Sequence, residues 1–415
     1  MKKYKLIGPF TQLVTMEGLP KRGPIQDNEL TIYSNAGILI KNDIISDIGS
    51  FADLKKNTAI NETEIIELSG KYVCLPGFID PHTHICFSGS RAQDYALRNA
   101  GKSYQEIAES GGGIWDTVIQ TRKASEQELT KKIVQRANTL LQKGITTIEV
   151  KSGYGLSVEE ELKMLHAIRS ADNLTKVDLV STCLAAHILP NDFIGNHKQY
   201  LETISNSLFP ILKKEKLTNR IDVFVEKGAF LPTDVYPYLK KAKAMGFDIT
   251  IHADQFSTSG SEVAVKMNAI SADHLEASTD KEIQTLAKSN VIAIALPGAS
   301  LGLGCDFAPA RKILDAGGTV AIASDWNPGS APMGDLLTQA CILGTFEKLT
   351  NAEVLAGITN RAASALNLTD RGKLIKGMKA DFNLFKADHY NEICYHQGTL
   401  IPSQVWKQGV LVHKS

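Results

Sequence analysis

The 415-residue chain predicts an α/β fold: a (β/α)8 TIM barrel carrying a small β-sandwich-like domain built from both chain termini. Three observations predict it. Short apolar runs alternate with longer amphipathic segments across residues 73–371. Both ends of the chain show strand-like alternation broken by glycine, asparagine and proline. Polar residues that are expensive to bury sit where the apolar runs end.

In order along the chain, "YKLIGPF", "LTIYS", "GILIKNDIISDIG" and "EIIELSGKYVCLPG" read as strands of a β-rich module. Eight runs then repeat one rhythm: "VCLPGFIDPHTHI", "ITTIEVKSGYG", "VDLVSTCLAAHILP", "IDVFVEKGAF", "FDITIHADQF", "AISADHLEA", "NVIAIALPGAS" and "TVAIASDWNPGS". Helical segments lie between them. In "SVEEELKMLHAIRSA", Val158, Leu162, Leu165 and Ile168 recur at helical spacing with charges opposite. A doubly wound open sheet has the same local signature, but in a barrel the chemistry gathers from the C-terminal ends of several strands onto one rim. The tail, "GKLIKGMKADFNLFKA" and "TLIPSQVWKQGVLVHKS", returns to strand-like alternation. The expected division is residues 1–72 plus 372–415 as the composite β domain and 73–371 as the barrel.

Composition narrows the function. Lys plus Arg and Asp plus Glu number 45 each, so net charge points neither to nucleic acid nor to a membrane surface. A small-molecule substrate is expected. The N-terminus has no apolar signal-like run and no window has the length of a membrane span, so the expectation is a cytoplasmic protein. Six scattered cysteines without a CxxC pair indicate neither a disulfide framework nor a cysteine zinc site, and Cys86 reads as a buried thiol.

In "DPHTHI", His82 and His84 are expected on the first barrel strand, where alternation with period two puts both on one face so that they can share an ion. His187, His252, His274 and Asp325 each follow an apolar run where its strand should end. Singly, His187 or His274 would read as a satisfied core residue; their coincidence across strands points to a site. Imidazole with carboxylate suits a borderline or hard divalent ion such as zinc or iron. His166, His197, His389, His396 and His413 read as solvated or structural, and Asp80 as a group that orients a histidine or fixes the turn. "ESGGGIWDT" (109–117) lacks the strand context of a dinucleotide loop and reads as a glycine-hinged lid or a structural turn.

With His82, His84, His252, His274 and Asp325 assembled, the chain resembles the amidohydrolase superfamily of metal-dependent barrel hydrolases. "PGFIDPHTHICFSGSRAQDYALRNAGKSYQEIAESGGGIWDTVIQTRKAS", "EVKSGYGL", "AAHILP", "HADQFS" and "SDWNPGSAPM" are similar to motifs of a branch that hydrolyses a cyclic amide. The resemblance implies one divalent ion per chain, zinc or iron, on His82, His84, His252 and Asp325. It also implies substrate contacts from Arg91, Tyr154, His187, Gln255 and Ser330, product contacts from Asn327 and Gly329, catalysis by His274, and a cytosolic homodimer.

The chemistry it implies is addition of water to the carbonyl of a five-membered ring bearing a propionate arm, followed by cleavage of the carbon–nitrogen bond. Asp325 would carry the proton, His274 or His187 would polarise the carbonyl, and Arg91 would pair with the propionate. Gln255 stands where ring deaminases of the superfamily carry a glutamate proton shuttle. An amide cannot move a proton, so an orienting contact is expected instead. Lys151 and Lys227 raise a two-metal site bridged by a modified lysine, against which a single ion is favoured. Another cyclic amidohydrolase, a ring deaminase and a non-catalytic scaffold are the competing readings, and the intact ligand set argues against the last.

Overall fold

A computed structural model describes residues 3–58, 61–102, 106 and 111–415. The first five strands are β1 (Tyr4–Val14), β2 (Ile32–Lys41), β3 (Ile44–Ser50), β4 (Thr63–Glu67) and β5 (Val73–Pro76). The barrel strands follow: β6 (Phe78–Asp80), β7 (Ile145–Lys151), β8 (Asp178–Ala186), β9 (Arg220–Val225), β10 (Asp248–Ala253), β11 (Ser271–His274), β12 (Ile292–Ala295) and β13 (Thr319–Ile322). The tail supplies β14 (Phe382–Phe385), β15 (Gln404–Lys407) and β16 (Val410–Lys414).

Strands β6 to β13 pair in sequence order, each parallel to the next. Each of the eight apolar runs carries one of them, β9 starting one residue before its run. The gap between β6 and β13 is spanned just past the strand ends, where His84 N–H donates to Trp326 C=O (3.0 Å) and Asp325 N–H donates to His82 C=O (3.1 Å). On its other side the same segment receives the Lys151 N–H at Thr83 C=O (3.0 Å). These bonds close the barrel at the rim where catalytic groups of this fold collect.

The helices between strands form where the sequence supplies caps. Ser125 and Glu128 make a capping box for Glu126–Gln142, and Ser157 caps Val158–Asp172. Leu165 and Ile168 of the latter are buried, while Val158 and Leu162 pack against the core at its margin.

The other sheet runs β16-β15-β14-β5-β1-β2-β3, with β4 also on β1. Strand β1 is long enough to pair with β4 through Tyr4–Gly8 and with β5 through Gln12–Leu13 on the same edge. Both termini share one apolar cluster, including Phe10, Leu13, Ile38, Phe382, Leu384 and Trp406. Phe382 stacks on Trp406 at 5.5 Å.

One element differs from its sequence reading. The run "VCLPGFIDPHTHI" is two strands, because Gly77 separates β5, which pairs with β14, from β6, which pairs with β7. A side chain at Gly77 would collide with Thr146, its Cβ lying 2.4 Å from Oγ1. That close approach lets the chain pass from one sheet to the other. Among the described residues no helix is long and apolar enough to cross a membrane.

Candidate metal centre and active site

His82 and His84 lie beyond β6 rather than within it, in the extended segment that closes the barrel. His252 is carried by β10 and Asp325 follows β13. Their donor atoms converge: His84 Nε2 is 3.2 Å from His82 Nε2 and 3.3 Å from His252 Nε2. Asp325 Oδ1 lies 3.5 Å from His82 Nε2 and 3.4 Å from His84 Nε2. All four residues are buried.

Asp325 Oδ1 has no hydrogen-bond donor, whereas Oδ2 accepts from Asn327 Nδ2 at 2.9 Å. A buried carboxylate oxygen without a donor, turned toward imidazole nitrogens, is the arrangement a cation completes. The residues therefore fit a divalent ion. His274 joins a second possible grouping, with His82 and Asp325.

Carboxylates behind two of the rings, those of His82 and His252, set their tautomers. His82 Nδ1 donates to Asp273 Oδ2 (2.6 Å), and His252 Nδ1 is 3.0 Å from Asp222 Oδ2. With Nδ1 committed to a carboxylate, Nε2 keeps its lone pair for the ion. Burial pushes the pKa of His82 and His84 well below the ordinary imidazole value and that of His252 down to about 3, so all three are neutral at neutral pH. Burial also raises the Asp325 carboxyl, to about 6, against the opposing pull of His274 and Asn327.

The backbone at the rim is held in unfavourable conformations: φ is +88° at His274, +78° at Leu275 and +52° at Asp325. Left-handed backbone at bulky residues costs on the order of 1–3 kcal/mol each and persists where surroundings enforce it. Along β11 the inward-facing residue is Asp273, and the turned backbone at the strand end brings His274 to the same side. Its ring lies 5.4 Å from His252 and 5.9 Å from His82. Burial lowers the His274 pKa, but Glu276, 3.4 Å from Nδ1, outweighs it and the net shift is upward.

His187, just past β8, stacks over His84 at 5.6 Å and is 5.6 Å from the Tyr154 ring. Its Nδ1 donates to Gly153 C=O (3.0 Å), leaving Nε2 free to accept, and burial lowers its pKa to about 4. Arg91 bonds Asp94 through Nε (2.5 Å), and its Nη1 reaches Gly329 so closely that a Cβ there would lie 2.8 Å away. Asn327 Oδ1 accepts from the N–H groups of Gly329 and Ser330, each at 2.8 Å. Arg91, Asn327, Gly329 and Ser330 thus form one cluster beside Asp325. Gln255 is half-buried in the loop after β10.

Lys227 is exposed, and Lys151 Nζ is taken up by Glu149 and Asp222, each at 2.8 Å. Asp80 accepts from Ser324 N–H (3.0 Å) and from its hydroxyl, joining the start of the barrel to its end. Cys86 is buried. Part of 109–117 lies outside the described residues; within the remainder, Gly113 N–H donates to Asp94 (2.9 Å) and a helix covers Ile114–Lys123.

Sequence reasoning missed the carboxylates behind the site: Glu149, Glu161, Asp222, Glu226, Asp273 and Glu276. Charges on the inward parity of apolar strands, such as Asp222 in "RIDVFV" and Asp273 in "SADH", were the available signal.

The sequence pattern described as "Amidohydrolase family" matches residues 73–412. The chain belongs to the amidohydrolase family. Its similarity extends to particular members: an imidazolonepropionase of Bacillus cereus is 39% identical over 408 residues, covering 97% of this chain and 95% of that one. An imidazolonepropionase of Bacillus cytotoxicus is 40% identical over 414 residues, covering 98% and 96%. Among solved structures, an atrazine chlorohydrolase from Arthrobacter aurescens complexed with zinc superposes with a TM-score of 0.70 at 16% identity, covering 99% of this chain and 95% of that one. At that identity the likeness concerns the fold.

Proposed function

We propose that this chain is an imidazolonepropionase: it hydrolyses the cyclic amide carbon–nitrogen bond of 4-imidazolone-5-propanoate to N-formimidoyl-L-glutamate, a step of histidine degradation. The observation that carries the reading is Asp325 Oδ1, buried, without a donor and within 3.5 Å of two imidazole nitrogens, in a chain 39% identical to imidazolonepropionases over nearly its whole length.

His82, His84, His252 and Asp325 would hold one divalent ion, zinc or iron. When bound, such an ion lowers the pKa of water from about 16 toward about 7 and polarises a carbonyl. The remaining work falls to side chains. Asp325 accepts the proton of the attacking water and passes it to the ring nitrogen as the carbon–nitrogen bond opens. His274 lines the carbonyl side, where its N–H stabilises charge developing on oxygen, and His187, its Nδ1–H already given to Gly153, offers Nε2 as an acceptor to a ring N–H of the substrate. Arg91 binds the propionate, with Tyr154, Gln255, Asn327, Gly329 and Ser330 fixing the ring and chain. The division into residues 1–72 plus 372–415 and 73–371, a cytoplasmic location and a homodimer belong to the same proposal.

The test is incubation of purified protein with imidazolone propanoate, with and without a chelator, and identification of the product. Formation of N-formimidoyl-L-glutamate that chelation abolishes and zinc or iron restores is expected. A protein that binds metal but leaves this substrate untouched would defeat the assignment.

A further inference from the structure

Beneath the histidine site the barrel interior is charged. Glu149 and Lys151 point inward from β7, Asp222 from β9 and Asp273 from β11, all with side chains no more than 1% exposed. Burying four charged groups together costs several kcal/mol per ion unless each is paired. Lys151 is the only cation among these four. Its Nζ is 2.8 Å from Glu149 Oε1, 2.8 Å from Asp222 Oδ2 and 3.9 Å from Asp273 Oδ2.

The two aspartate oxygens that meet Lys151 are the same atoms that meet the histidines. Asp222 Oδ2 faces His252 Nδ1 at 3.0 Å, and Asp273 Oδ2 accepts from His82 Nδ1 at 2.6 Å. One ammonium therefore stands behind two carboxylate–imidazole pairs, on different strands, that aim Nε2 atoms at one point. Asp273 has a further support, Thr250 Oγ1 at 3.2 Å. For Asp222 no other hydrogen-bond donor is recorded among the described residues. Glu149 fastens the clamp to the segment holding the first two histidines, since its carboxylate accepts from Thr83 N–H (3.2 Å) and its carbonyl from Thr83 Oγ1 (2.6 Å).

We propose that Lys151 is a positioning residue for the metal centre: its ammonium sets the place of Asp222 and Asp273 and through them the ring orientation and Nδ1–H tautomer of His252 and His82. The inference rests on the metal assignment above. It gives Lys151 a task different from bridging two ions, since every carboxylate within its reach is already an ion-pair partner. Loss of groups that orient ligands costs about 10- to 100-fold in metal affinity.

The test compares wild type with Lys151→Met, which keeps an unbranched side chain one atom shorter and removes its charge. Histidine tautomers are read by nitrogen-15 NMR on metal-free protein, and zinc affinity by competition with a chromophoric chelator. In wild type His82 and His252 should be Nδ1–H tautomers; in Lys151→Met that preference should be lost and zinc should bind about 10- to 100-fold more weakly. Because three carboxylates left without a cation can prevent folding, the double variant Lys151→Met with Glu149→Gln is measured too. It lowers the excess charge, leaves both aspartates in place, and should fold yet keep the weakened zinc binding.

Unchanged tautomers and affinity in a folded variant would overturn the proposal. So would tighter zinc binding, the result expected if the ammonium did nothing but repel the ion. Wild type that binds no metal would instead refute the metal assignment, a separate failure.

Discussion

The proposed function gives Asp325 two tasks on one carboxylate, holding the ion and carrying the proton. Asn327 holds Oδ2 and the outer oxygen stays free, so Asp325→Asn should preserve the fold, replace the proton carrier with an amide and lower kcat by about 10²–10⁴-fold, read by product formation at saturating metal. Gln255 tests the substrate side. Gln255→Glu should leave ring deamination undetectable, because one added carboxylate does not build a site for an exocyclic amine leaving group, and should raise KM as a charge enters a half-buried contact. Steady-state kinetics with an unchanged KM would count against an orienting role. Neither residue's environment is visible from its neighbours in sequence, since Asp325 meets histidines more than 240 positions away, at 82 and 84.

Rim loops are fastened by carboxylates that touch backbone rather than substrate. Glu161 accepts from the N–H groups of Gly153 (3.1 Å), Gly155 (2.8 Å) and Leu156 (2.8 Å), fixing the turn that presents Tyr154. Glu226 does the same for Phe256 (2.9 Å) and Ser257 (3.1 Å), next to Gln255. Helix Pro297–Leu303 supports the loop after β13 by close approach: a Cβ on Gly302 would lie 1.6 Å from Ser330 C=O. Gly302→Ala must therefore move the loop holding Asn327 and Ser330. A fall in kcat/KM of at least about tenfold, near 1.4 kcal/mol, is expected with circular dichroism unchanged.

A different charged cluster joins the barrel to the terminal sheet. Asp178 at the start of β8 meets Arg371 (2.5 Å), Lys407 (2.9 Å) and Lys379 (3.3 Å). Burial raises the Asp178 pKa, but Lys407 and then Arg371 outweigh it, and the net shift is downward; Asp370 is held at about 2, chiefly by Arg371. A carboxyl with a depressed folded pKa contributes stability above its unfolded value of about 4, and that contribution is lost as pH falls through the folded value. Acid unfolding should therefore include a component below about pH 4 that Asp178→Ala reduces. At pH 7 that variant should lose about 1 kcal/mol in urea denaturation, because Arg371 keeps Asp370 and Lys407 keeps Asp381 as partners.

Across the whole molecule, an ion that binds only the folded chain must stabilise it. Stripping metal should lower Tm, and restoring zinc or iron at about 100 times its Kd should return about 2.7 kcal/mol, read as a rise in Tm. A chain whose Tm ignored both treatments would carry no such ion. The eight alternating units and the strand character of both ends could be read from the sequence, because a period of two or 3.6 in apolar residues is the local record of which face is buried. The histidines and Asp325 could be read as well, since polar groups ending apolar runs are costly without a purpose. Hidden from it were the break at Gly77 and the passage of the chain between sheets, the buried Lys151 with its carboxylates, and the clamps Glu161 and Glu226. Each depends on a contact between residues on different elements, and periodicity records the burial of a face without naming what lies against it. The sequence by itself determined the barrel rhythm and the types of residue that end its strands; only the tertiary structure decided which nitrogen of His82 and of His252 faces the shared cluster, because that choice is made by carboxylates arriving from other strands.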